Sequence, residues 1–102
     1  LMNKYTIYIP FYIADETGNP SVCAKQIGLS IVEEIVNETG GATVTEGKGY
    51  WSNGKHIVNE SVFIVETCAE SLNTQRLAAS IKLQLNQQSV LILRQEVESF
   101  FL

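Results

Sequence analysis

At 102 residues with 45% hydrophobic side chains, the chain is sized for one domain built around one core. Its formal charge of −4, with 7 Lys and Arg spread singly, excludes a phosphate-tracking nucleic-acid surface, which needs clustered cations. No segment approaches the roughly eighteen apolar residues of a membrane span, and no basic region followed by an apolar run opens the sequence. With Met2 read as the natural start, a cytoplasmic protein is expected.

Lys4 to Ile13 (KYTIYIPFYI) alternates Tyr5, Ile7, Ile9 and Phe11 against Thr6 and Tyr8, the period of a strand. Pro10 cannot donate to a ladder, so pairing is expected to lapse or bulge there. Asp15 to Asn19 reads as a turn. Asn19 as N-cap and Pro20 as first helical residue then predict a helix to about Thr39. Its apolar stripe is Ala24, Ile27, Gly28, Ile31 and Ile35, and Gly40-Gly41 provides the left-handed stop.

The segments from about Ala42 to Ser52 and from Lys55 to Thr67 flank Asn53-Gly54, the sharpest turn signal in the chain. Asn-Gly suits a two-residue type I′ turn, whose central residues both need positive φ. That turn would set Trp51 opposite His56, Tyr50 opposite Ile57 and Val44 opposite Phe63. Gly47 and Gly49 lack the strand-to-helix context of a phosphate loop and predict a bulge or bend. A second helix follows, with Thr67 and Glu70 at capping-box spacing and Ser71 and Asn73 as rival caps. It ends near Gln87, carrying Leu77, Ala78, Ile81 and Leu85 on one stripe. Ser89 to Val97 is the last strand, before an apolar Phe100-Phe101-Leu102 tail.

The order βαββαβ predicts a ferredoxin-like α+β sandwich, an antiparallel sheet in the order 4-1-3-2 with both helices on one face. The other face would carry Val58, Val62 and Ile64 into solvent, which predicts a homodimer or higher oligomer through that face, or through edge strands, unless the Phe-Phe-Leu tail folds over it.

The same topology gathers the Asp15 to Asn19 loop, the hairpin tip and the Gln87 to Ser89 turn at one edge. Trp51, His56, Asp15, Glu16, Asn53 and Gln88 are the candidate ligand-binding residues there, suited to a small polar molecule. One His and two separated Cys do not make a closed metal site, and no Ser or Cys nucleophile has a visible base. Neither cofactor nor metal is expected. Cys23, placed on the first helix, and Cys68 fall at opposite edges and predict free thiols.

Thr43, Val44, Gly47, Gly49 and Trp51, then Gly54, Ile57, Val58, Glu60 and Ser61, then Gln87, Ser89 and Val90 form a pattern similar to that of a family of small bacterial proteins of unknown function. The resemblance covers most of the last sixty residues, implies the fold, and names no activity. The chain departs from that family in its short first loop and lack of an export signal. Two function classes follow. The preferred one is an oligomeric binding or regulatory module for a small molecule or protein partner. The other is an enzyme resembling the dimeric α+β-barrel monooxygenases, including haem-degrading members, with Asn3, Trp51 and His56 as its polar set.

Overall fold

In the computed structural model, which describes residues 1–102, the strands are β1 (Met2–Pro10), β2 (Tyr12–Ala14), β3 (Pro20–Cys23), β4 (Thr43–Ser52), β5 (Ile57–Ala69) and β6 (Ile92–Val97). Helix α1 (Lys25–Thr39) lies between β3 and β4, and α2 (Thr74–Leu85) between β5 and β6. The four long strands form an antiparallel sheet in the order β4-β5-β1-β6. This is the ferredoxin-like arrangement that the βαββαβ order requires.

Alternation along the central strands decides which side meets the helices. Ile7 pairs with Val65 and Ile9 with Phe63, and these four turn to the helical side. There they meet Ile31 and Ile35 of α1 and Leu77, Ile81 and Leu85 of α2, all buried. The stripes expected from helical spacing are thus the core-facing stripes. Gly28 belongs to the α1 stripe because a Cβ there would lie 2.9 Å from the Phe63 ring.

The segment after β1 departs from expectation. The regular pairing of β1 ends at Pro10, with one further bond from the Phe11 amide to the Ser61 carbonyl at 3.1 Å, and Tyr12–Ala14 pairs instead with Pro20–Cys23 as a small hairpin. Asp15 forces this local solution. Its carboxylate accepts hydrogen bonds from the Thr17 and Asn19 amides, each at 2.9 Å, and from the Thr17 hydroxyl at 2.6 Å, closing the loop on itself. The fixed φ of Pro20 serves an extended chain as well as a helix start, and Val22 favours a strand. The helix therefore begins at Lys25 behind Ala24 rather than at Pro20, and Cys23 is an exposed strand residue rather than a helical one.

The central hairpin has a four-residue connection, Asn53 to His56, in place of the two-residue turn. Only Gly54 takes positive φ, at 92°, whereas type I′ needs it at both central positions. The Asn53 side chain accepts from the Lys55 amide at 3.0 Å and the His56 amide at 2.8 Å, and this Asx-type closure displaces the tighter turn. Trp51 therefore faces Val58 rather than His56, and Val44 faces Val65 rather than Phe63. A two-residue slide leaves every side chain on its expected face. Pairing through Gly47 and Gly49 is continuous, so neither marks a bulge.

Asn73, one of the rival caps, holds the start of α2 by accepting from the Arg76 amide at 3.1 Å. Asn86 ends the helix in the left-handed region with φ 51°, and β6 begins only at Ile92.

Candidate functional site

The sheet face away from the helices is built from the alternate residues: Tyr8 and Pro10 of β1, Glu60 and Val62 of β5, and Gly47, Gly49 and Trp51 of β4. Gly49 stands opposite Glu60 and Gly47 opposite Val62. With no side chains there, β4 leaves a trough into which its neighbours lean. A Cβ on Gly47 would lie 3.0 Å from Ile64 Cδ1, and one on Gly49 would lie 3.5 Å from Val62 Cγ1 and 3.9 Å from Trp51 Cζ3. These glycines make room for packing.

At the hairpin end this face opens into a cleft of about 600 Å³. Three segments bound it: the turn of the small β2–β3 hairpin through Thr17 to Asn19, the end of β4 through Trp51 to Asn53, and the Asn86 to Leu91 connection. The Asn86 side-chain amide donates to the Ala14 carbonyl at 3.0 Å, fastening the connection after α2 to the small hairpin. The Ser52 hydroxyl accepts from the Gly54 amide at 3.1 Å, which with the Asn53 bonds holds the β4 rim. Trp51, Tyr8, Val62 and Leu91 give the cleft apolar wall, while Asn19, Asn53, Asn86, Gln87, Gln88 and Ser89 give it amide and hydroxyl groups. That mixture suits a small amphipathic ligand.

Of the six candidate ligand-binding residues, Trp51, Asn53 and Gln88 line this cleft, and Asp15, Glu16 and His56 do not. The Asp15 carboxylate is consumed by its own turn, and its hydrogen bonds, that from Thr17 foremost, hold its pKa below the usual carboxylate range. His56 is exposed beyond the strand ends, because the longer connection carries it out of the ladder. Asn3 donates its side-chain amide to the Glu70 carbonyl at 2.9 Å, at the β1 end remote from the hairpin tip, so Asn3, Trp51 and His56 do not converge. Of the candidate interface residues, Val62 is buried beside the cleft, while Val58 and Ile64 are half-buried. Phe100, Phe101 and Leu102 are exposed and leave that face uncovered.

Glu60, which the sequence reading left out of the site, stands on the cleft wall with only 6% of its surface exposed. Its carboxylate takes part in none of the ion pairs, which join Lys4 to Glu66, Lys25 to Glu46 and Arg76 to Glu38. No side-chain nitrogen or oxygen is fully occluded without a partner, so the Glu60 oxygens open onto the cleft. Burial pushes the carboxyl up to about 7. The signal was available: Glu60, at an even position of IVNESVFIVET like Glu66, shares the face of Val58 and Val62 and stands between them.

No protein-family model and no curated protein matches the sequence. A solved structure of the periplasmic divalent cation tolerance protein CutA from Archaeoglobus fulgidus is similar over 99% of this chain and 88% of that one, with a TM-score of 0.67 and 12% sequence identity. The expectation of a cytoplasmic chain is withdrawn against that finding, since the matched protein is described as periplasmic. No helix is long and apolar enough to cross a membrane, which does not distinguish compartments. At 12% identity the likeness establishes the ferredoxin-like fold, and the resemblance carried by the strand motifs extends no further than that fold.

Proposed function

We propose that the chain is a small binding module that works as a homo-oligomer and takes a small amphipathic molecule into the hairpin-end cleft. The observation that carries the reading is the meeting of three segments, remote in sequence, around a cavity that pairs an aromatic wall with an amide-rich rim. The structurally similar protein is described as one of divalent cation tolerance. In this chain no three His, Cys, Asp or Glu side chains cluster as metal ligands, and the cleft is read as a site for an organic molecule. The oligomer is supported by the open sheet face, where Leu91 and Leu93 remain exposed beside half-buried Ile64.

Trp51 is the only tryptophan and lines the cleft, so its fluorescence reports occupancy. Titration with a panel of small aromatic alcohols, amides and amines is expected to give a saturable change for some members, lost when Val62→Trp fills the cavity. A panel without any saturable response would contradict the reading. Light scattering should give twice the 11.3 kDa chain mass, reverting to the single mass in Leu93→Lys.

A further inference from the structure

Resting on the reading of the cleft as a small-molecule site, we infer that its ligand carries a protonated amine, seated with the ammonium on the Glu60 carboxylate and its apolar part against Trp51 and Tyr8. Three observations converge on this chemistry. The first is Glu60, of which only 6% is exposed, whose carboxylate has no protein partner and opens to the cavity. A lone carboxylate in such a place is costly until a cation or donor meets it. The second is the wall beside it. Trp51 is two residues along β4 from Gly49, which faces Glu60, so one π-face borders the site a cation would occupy, while Tyr8, opposite Ile64 on β1, lines the cleft farther along the same face.

The third observation is the composition of the remaining lining, which contains no Lys, Arg or His. Nothing in the protein competes for the carboxylate, and nothing there attracts an anion. The groups that face Glu60 from each packed element are equally simple. From β4 they are Gly49 and Trp51, from β1 Pro10, and from β5 Val58 and Val62; the Tyr8 phenol stands farther along this face opposite Ile64, and Tyr50, opposite Asn59, belongs to the other face. The Asn86 to Leu91 connection and the Thr17 to Asn19 turn contribute amides, hydroxyls and apolar groups. Glu60 is therefore the sole carboxyl lining the cleft, and binding of an ammonium group is coupled to loss of its proton. Gln88 and the side-chain NH2 of Asn53, whose oxygen is held by the turn, can bind polar substituents elsewhere on the ligand.

Benzylamine and benzyl alcohol, alike in shape and differing in charge, separate the two levels of the proposal. With the full chain at pH 8, benzylamine is expected to bind about tenfold more tightly than benzyl alcohol, measured by Trp51 fluorescence and by amide chemical shifts. Between pH 8 and pH 6 its affinity should fall about tenfold, and calorimetry in buffers of different ionisation heat should record close to one proton released at pH 6. Glu60→Gln should abolish the preference for the amine while leaving benzyl alcohol binding in place. The calorimetric arm needs only the native chain and stands whatever the variant's folding. Equal binding of both probes without proton release would overturn the amine assignment and leave the cleft standing. Binding of neither, or shifts confined to residues outside the cleft, would overturn both.

Discussion

The two faces of the sheet are made by the same strands under the same alternation, yet they are built for different ends. On the helical side Ile7, Ile9 and Val65 are wholly enclosed with Ile31, Ile35, Ile81 and Leu85, and no charged residue intrudes on this cluster. On the open side the β4 glycines yield their space to the Ile64 and Val62 side chains, and β5 buries a carboxyl beside a tryptophan. Stability resides in the first face. The second gives up some packing and some solvation to keep a cavity and an ionisable group in place.

The comparison breaks most readily on the helical side. Ile81→Ala should cost about 2 to 5 kcal/mol and lower Tm by more than about 10 °C, because Ile81 is fully enclosed and its loss leaves a hole between α2 and the sheet. A loss within the range of a surface substitution would remove the contrast between the faces.

Glu60→Gln should act in the opposite direction on the open side. In the folded chain the carboxyl is raised from its ordinary 4.5 to about 7, so the native state holds this proton more tightly than the unfolded chain does. The contribution is full below about 4.5, is lost as pH climbs to about 7, and is flat above. Denaturant melts should show the wild type losing stability across that window, by less than a fully desolvated carboxyl would give because the group opens onto the cleft. The variant lacks this contribution to the slope and is more stable than wild type at pH 8.

Gly28→Ala tests how tightly α1 sits. Alanine favours a helix by about 1 kcal/mol, but its Cβ would stand 2.9 Å from a Phe63 ring already packed, tilted by 45°, with its centroid 4.3 Å from that of Phe11. A net loss of about 1 to 2 kcal/mol is expected from denaturant melts. The smallest effect belongs to Asn53→Ala, about 0.5 to 1 kcal/mol, since it removes two hydrogen bonds at an exposed turn. Its amide shifts should change mainly between Ser52 and Ile57.

These contrasts also explain what was legible in the sequence. Strand alternation and helical stripes are written in side-chain chemistry, so the sheet order, the face of each strand and the core residues Ile7, Ile31, Ile81 and Val65 could be read from it. Asp15 and Asn53 were harder to read. Each closes a turn through its own side chain, and such local bonds compete with the cap and the two-residue turn that the same residue types favour. The outcome moved a helix start by five residues, from Pro20 to Lys25, and a hairpin register by two, with Trp51 facing Val58 rather than His56. The loops at the hairpin edge were placed from topology, but which side chains enter the cleft depends on those turns. Asp15 and His56 fell outside for that reason. Glu60 was visible in the alternation, but its burial depends on the neighbouring strands and on the segments that close the cleft beside it, which no single strand reveals.

The ionisation of Glu60 tests the difference between the two faces most directly. With the glutamate side-chain carboxyl carbons labelled and followed by NMR from pH 3 to pH 9, the Glu60 resonance should titrate near 7. A Glu60 midpoint near its ordinary 4.5 would show a solvated carboxylate, and the open face would then be surface like any other.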